Sequence, residues 1–156
     1  MSIERVRSYL DKYNLKDKIL EFPVSSATVE LAAIALNTEP SRIAKSLSFM
    51  LDTPIIIVTS GDMKIDNVKY KQFFDTKAKM LSPEDAEILI GHAVGGVCPF
   101  GINDNVKVYL DESLKRFDTV FPACGSSNSA IELTPNELET TCQNFVSWID
   151  VCKPKE

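Results

Sequence analysis

The chain has 156 residues, 44% hydrophobic and 25% charged, with a formal net charge of −5. That length and balance suit one globular domain that folds without disulfides or metal, and they exclude a disordered, collagenous or disulfide-stapled chain. The longest apolar runs, such as residues 55–58, are too short to span a bilayer, residues 1–5 lack the apolar core of a signal peptide, and the acidic balance argues against nonspecific coating of nucleic acid.

Ile3, Val6, Leu10 and Tyr13 recur at helical spacing and predict an amphipathic helix. Phe22-Pro23-Val24 reads as a short extended edge piece, because proline donates nothing to a ladder. Ser25-Ser26 offers an N-cap for a helix over 28–36, with Asn37 as its stop, and Pro40 suits the first turn of another short helix over 41–46. The apolar runs 47–51 and 55–59, split by Asp52-Thr53-Pro54, predict a hairpin whose second strand is covered on both faces. Gly61 ends it. Residues 66–74 then read as helix and 79–81 as a short strand.

Ser82-Pro83-Glu84-Asp85 combines a cap, an N1 proline and first-turn acids, so it opens a helix that stops at Gly91. Residues 91–101 read as loop and 106–110 as strand. Asp111 caps a short helix to Arg116, and 119–123 and 130–133 are further strands. Thr134-Pro135-Asn136-Glu137 forms a capping box that opens a C-terminal helix expected to run to about Trp148, with 152–156 as a frayed tail. The sum is six or seven short strands among five or six helices. That describes an α/β (α+β) fold, a mixed sheet flanked by helices, with residues 1–156 as one domain.

Four cysteines, Cys98, Cys124, Cys142 and Cys152, with no Cys-x-x-Cys pair read as reduced thiols in a cytoplasmic protein. His92 is the single histidine, so no His-rich metal site and no cofactor is expected, and His92 itself reads as structural. Residues 64–79 hold five lysines against two aspartates, a local +3. This is either a solvated helix face or a patch for phosphates.

Three segments invite chemistry. Residues 91–101 hold four of the six glycines and almost no charge, which suits backbone approaching a ligand or a tightly packed connection equally well. Lys45 precedes an apolar strand at an expected helix-to-strand junction, as a lysine in a crevice or one favoured by a helix C-terminus. Residues 122–130 form a loop of small residues that either lines a pocket or simply turns.

Taken together, the run Arg42-Ile-Ala-Lys-Ser-Leu-Ser-Phe49, the Gly95-Gly-Val-Cys-Pro99 loop and the late Ala130-Ile-Glu-Leu-Thr-Pro135 resemble the YbaK/prolyl-tRNA editing-domain family in order and spacing, over essentially the whole chain. The resemblance implies a mixed sheet flanked by helices. It also implies trans-editing: hydrolysis of the ester in mischarged aminoacyl-tRNA, chiefly tRNA for proline carrying a small amino acid such as alanine or cysteine. The family's essential lysine falls on Lys45 and its glycine–proline loop on Gly95 and Pro99, while Ser46, Gly96, Val97, Cys98, Gly125 and Ser126 would shape the substrate pocket. Ser46 stands where relatives often carry threonine or asparagine, and the 124–128 stretch lacks a histidine that some relatives have. Lys64, Lys69 and Lys71 are the candidate tRNA contacts, and prolyl-tRNA synthetase is a candidate partner; no membrane and no metal are implied. A non-catalytic tRNA- or synthetase-binding module of the same fold is the alternative.

Overall fold

The computed structural model describes residues 2–155. In chain order the elements are α1 (Ser2–Asp11), β1 (Leu20–Glu21), α2 (Val29–Leu36), β2 (Ile43–Met50), β3 (Pro54–Ser60), β4 (Met63–Ile65) and α3 (Asn67–Phe74). They continue with α4 (Pro83–Leu89), β5 (Lys107–Asp111), β6 (Phe121–Pro122), β7 (Ser129–Ala130), α5 (Pro135–Thr141), β8 (Phe145–Ile149) and β9 (Cys152–Pro154), with three short 3₁₀ turns between.

The main sheet has the order β6-β2-β3-β5-β8. The β2–β3 hairpin is antiparallel, whereas β6 joins β2, β5 joins β3 and β8 joins β5 in parallel. Two ribbons, β1–β7 and β4–β9, complete the architecture as a mixed sheet flanked by helices.

Every residue of β3 is buried, because β3 is the central strand and both its faces are covered. Ile56 and Val58 pack with Val6 and Leu10 of α1, while Ile55 and Ile57 pack with Phe49 and with Tyr70 of α3. The consecutive isoleucines thus feed two cores at once, and full burial of each side chain contributes roughly 1.5–3 kcal/mol.

Several expectations are corrected. The expected helix over 41–46 is a single 3₁₀ turn at Pro40–Arg42, after which β2 runs from Ile43. Pairing to β3 on one edge and β6 on the other recruits the segment, and tertiary hydrogen bonding overrides a weak local helix signal. Lys45 therefore sits within a strand. The helix opened by the Thr134 capping box ends at Thr141, and residues 145–149 are β8. Asn144 adopts φ 56° and donates from Nδ2 to the carbonyls of Asp104 and Val106, which turns the chain into the sheet. The expected frayed tail is β9 as far as Pro154, paired with β4, a strand absent from the sequence expectation; Glu156 lies outside the described residues.

Smaller shifts occur at the cap and the edge. Thr28 rather than Ser25-Ser26 caps α2, accepting from the Leu31 amide at 3.2 Å. The Ser26 amide instead donates to the Ser127 carbonyl at 2.6 Å. The extended edge piece lies at β1 rather than 22–24.

Gly61 locks the end of β3 under the α2–β2 connection. A Cβ there would sit 2.1 Å from the Pro40 carbonyl oxygen and 2.7 Å from Val29 Cγ1. Gly61→Ala is expected to destabilise the fold by about 1–3 kcal/mol, read as a lower midpoint in urea with an unchanged slope.

Candidate functional site

The site begins with an incomplete edge of β2. Along this strand Ile43, Lys45 and Leu47 direct their backbone groups toward β3, as the Gly61 amide donating to the Ile43 carbonyl indicates. The even-numbered residues face the other edge. There β6 covers only Ile43 and Ala44, and residues 79–81 rejoin at the far end, with Leu81 N–H donating to Ser48 O at 3.1 Å and Met50 N–H to Lys79 O at 2.9 Å. The N–H and C=O of Ser46 fall in the gap without a strand partner.

A cleft of about 460 Å³ opens over that gap, within the usual range for small-molecule sites. Its walls come from β2, the start of α2 at Thr28 and Val29, Met80 and Leu81, the glycine loop at Val94, Gly95 and Val97, and Ala123. The positive end of α2 is thus turned to the cleft.

Lys45, Ser46, Gly95 and Val97 line this cleft together. Gly96, Cys98, Pro99, Gly125 and Ser126 lie behind the wall. Gly96 and Gly125 are in backbone contact: a Cβ on Gly96 would lie 2.5 Å from the Gly125 carbonyl carbon. Gly125 (φ 92°) in turn packs under Ser2 and Val6 of α1. Pro99 is buried and its carbonyl accepts from the Gln143 amide at 2.9 Å. The Ser126 hydroxyl lies 2.8 Å from Ser129 Oγ and 3.0 Å from Asn128 Oδ1. Gly95 itself has φ 90°, and its Cα face abuts Ala27 and Ser127, so a side chain there meets both strain and crowding.

None of Lys64, Lys69 and Lys71 lines the cleft. Lys64 pairs with Lys153 across the β4–β9 ribbon, Lys69 donates to Asp150 Oδ1 and the Cys152 carbonyl, each at 3.0 Å, and Lys71 borders a separate groove along α3.

Lys45 is half-buried, and its ammonium donates to the Met63 carbonyl of β4. Burial, then the like charge of Lys155, pulls it down to about 8, against opposing pulls from Cys152 and Asp62. The Asp62 carboxyl is itself held low by Arg116, which donates to it at 2.6 and 3.1 Å. Ser46 Oγ is buried without a hydrogen-bond partner.

Cys98 and His92 do not form a nucleophile–base pair. His92 Nε2 donates to the Phe100 carbonyl at 2.7 Å, so the nitrogen 3.6 Å from Cys98 Sγ already carries a proton. Complete burial pushes the Cys98 thiol up to about 12. Among the described residues no group of three or more His, Cys, Asp or Glu could hold a metal ion, and no helix is long and apolar enough to cross a membrane.

Sequence reasoning missed the wall contributed by Thr28, Val29 and Met80, and the Met63 carbonyl, whereas Val94 belongs to the 91–101 loop it had singled out. Only the Thr28 cap had a local signal.

The family model described as "Aminoacyl-tRNA editing domain" matches residues 24–141. The chain belongs to this family. Among relatives of this editing domain, the protein YwhH of Bacillus subtilis (strain 168) is 55% identical, with both chains covered completely. The Enterococcus faecalis protein named "Putative Cys-tRNA(Pro)/Cys-tRNA(Cys) deacylase EbsC" is 27% identical over 83% of this chain and 82% of its own. A crystal structure titled as that of "a putative trans-editing enzyme for prolyl tRNA synthetase" superposes with a TM-score of 0.85 at 30% identity, covering 97% of each chain.

Burial holds His92 below its ordinary value of 6.5. As pH falls through 6.5 the unfolded chain takes a proton that folded His92 refuses, so stability drops on the acid side. His92→Gln, neutral throughout and still able to donate, is expected to lose less stability than the wild type between pH 6.5 and 5, measured by urea midpoints.

Proposed function

We propose that this editing domain is a trans-acting deacylase that hydrolyses the ester of mischarged aminoacyl-tRNA, foremost tRNA for proline carrying alanine or cysteine. The observation that carries the reading is that Lys45 and Gly95 line one cleft together with the unpaired backbone edge of β2 at Ser46. A synthetase pocket shaped for proline cannot reject smaller amino acids strongly, because a methylene or two is worth only about 1–3 kcal/mol. A second, hydrolytic pocket corrects the error.

Water adds to the ester carbonyl carbon, the carbonyl oxygen takes up negative charge, and the bond to the ribose oxygen then breaks. The ribose oxygen gains a proton, leaving free amino acid and free tRNA. The ester is already activated, so orientation and charge stabilisation supply most of what is needed. Lys45, largely protonated at neutral pH, offers positive charge to the developing oxyanion or to the terminal phosphate. It does not bind the substrate's α-ammonium, which it repels. Backbone carbonyls of the Gly95 loop and the Ser46 edge suit that ammonium.

With a net charge of −5, affinity for tRNA alone is modest and salt-sensitive, and a synthetase that holds the tRNA is the natural partner. Lys64, Lys69 and Lys71 are the proposed direct contacts. The cytoplasm is the corresponding compartment.

A panel of mischarged tRNAs with the purified protein tests the activity. Lys45→Ala is expected to lower deacylation by about 10²–10³-fold, and Gly95→Ala by roughly tenfold, while Cys98→Ser retains full rate. Near-normal rates in both of the first two variants, or retention of mischarged tRNA on a filter with its amino acid intact, would overturn the reading in favour of a binding module. Lys69→Glu combined with Lys71→Glu is expected to raise KM for tRNA at low salt with little change in kcat; an unchanged KM removes the proposed contact.

A further inference from the structure

The segment that rejoins β2 leaves the sheet at a definite register position. Phe49 and Met80 form an antiparallel bridge, and the Leu81 amide donates to the Ser48 carbonyl at 3.1 Å, so residue 81 stands opposite Ser48. Two residues further along, residue 83 would stand opposite Ser46 if the pairing continued. It does not continue, because Pro83 has no N–H to give and is the first residue of α4, whose cap Ser82 accepts from the Asp85 amide at 3.1 Å. From the other end β6 reaches only Ala44, where its own residue is Pro122. One position of the ladder is therefore empty, and Ser46 and Pro83 both line the cleft that occupies it.

The empty position is of the hydrogen-bonded kind. In an antiparallel pair such a residue gives its N–H to the carbonyl opposite and takes the opposite N–H on its own carbonyl. An aminoacyl ester carries the same two functions, an α-ammonium that donates and a carbonyl that accepts. We propose that the aminoacyl group of the substrate occupies this position as a one-residue strand, its ammonium donating to the Ser46 carbonyl and its ester carbonyl accepting from the Ser46 N–H. The inference rests on the reading of the cleft as a deacylase site, and it assigns the oxyanion donor. As water adds to the carbonyl carbon, charge grows on the oxygen that the Ser46 N–H already holds. The polarity of β2 fixes the orientation. The Ser46 carbonyl lies toward Leu47 and its N–H toward Lys45, so the ammonium is kept at the Leu47 end and the ester with its ribose at the Lys45 end. That arrangement separates the two like charges and brings the ester to the lysine. A residue opposite Ser46 also shares its face of the sheet, with Cβ atoms about 5 Å apart, which an L side chain does and a D side chain cannot do with both hydrogen bonds kept. The position next to the ammonium is already held by the chain at Leu81 and Ser82, where a substituent on the nitrogen would have to go.

Two experiments test the pairing. In the first, deacylation of tRNA carrying L-alanine is compared with tRNA carrying D-alanine, N-acetyl-L-alanine or L-lactate, each after subtraction of the spontaneous rate. The D-alanyl and N-acetyl esters are expected to lose about 10²-fold or more in kcat/KM, and the lactyl ester, whose hydroxyl still donates but carries no charge, about tenfold. In the second, an alanyl-adenosine amide, with nitrogen in place of the ester oxygen, is titrated into ¹⁵N-labelled protein. The Ser46 amide is expected to shift downfield and to exchange with solvent roughly tenfold more slowly, while exchange of the Lys45 amide, committed to β3, is unchanged. The D-alanyl amide is expected to protect neither. Equal rates for the L- and D-alanyl esters, or an L-alanyl amide that at millimolar concentration leaves Ser46 exchange unaltered, overturns the proposal. Protection of Ser46 by the L-alanyl amide in a protein that deacylates none of the mischarged tRNAs keeps the pairing and overturns the deacylase reading instead, so the two failures are distinguishable.

Discussion

The functional geometry depends on one unfinished strand edge. Buried backbone N–H and C=O groups are almost always paired, and β2 satisfies this on its β3 side for its whole length. On the opposite edge β6 stops at Ala44 and the 79–81 segment begins at Ser48, so the amide groups of Ser46 are left to the cleft. A closed sheet would have no cleft there. The opening costs little because solvent reaches it, and it gives a ligand fixed donors and acceptors that need no reorganisation.

Glycine supplies the second half of the cleft by allowing two loops to touch through backbone. Gly96 rests on Gly125, and Gly125 rests on the first turn of α1, so the wall carrying Gly95 and Val97 is braced from the N-terminal helix outward. Cys98, Pro99, Gly125 and Ser126 belong to this bracing layer, one step removed from the space a substrate would occupy. Their influence on the site runs through the position of Gly95.

The strand alternation that exposes the Ser46 amide also directs the Lys45 ammonium toward β4. A half-buried cation seated on a neutral carbonyl, with the Asp62 carboxylate engaged by Arg116, sits where burial makes its proton easier to lose. The β4–β9 ribbon therefore bears on the chemistry although it lies outside the sheet that forms the cleft.

Much of this was legible in the chain. Periodicity located α1 and the β2–β3 hairpin, the triple isoleucine marked the central strand, and caps marked α4 and α5, because those signals are local and act within a few residues. Lys45 and the glycine loop were singled out by their types and by resemblance to the editing-domain family. The fate of residues 41–46 and 145–154 was not legible, since each became strand only by pairing with segments distant in sequence, and local propensity does not encode a distant partner. The sequence by itself determined the composition of both cores and the chemical groups available. Only the tertiary structure decided that Ser46 would lie at a gap in the sheet and that Gly95 and Lys45 would line one cleft, because hydrogen-bond pairing and close packing between remote segments set which groups share a space.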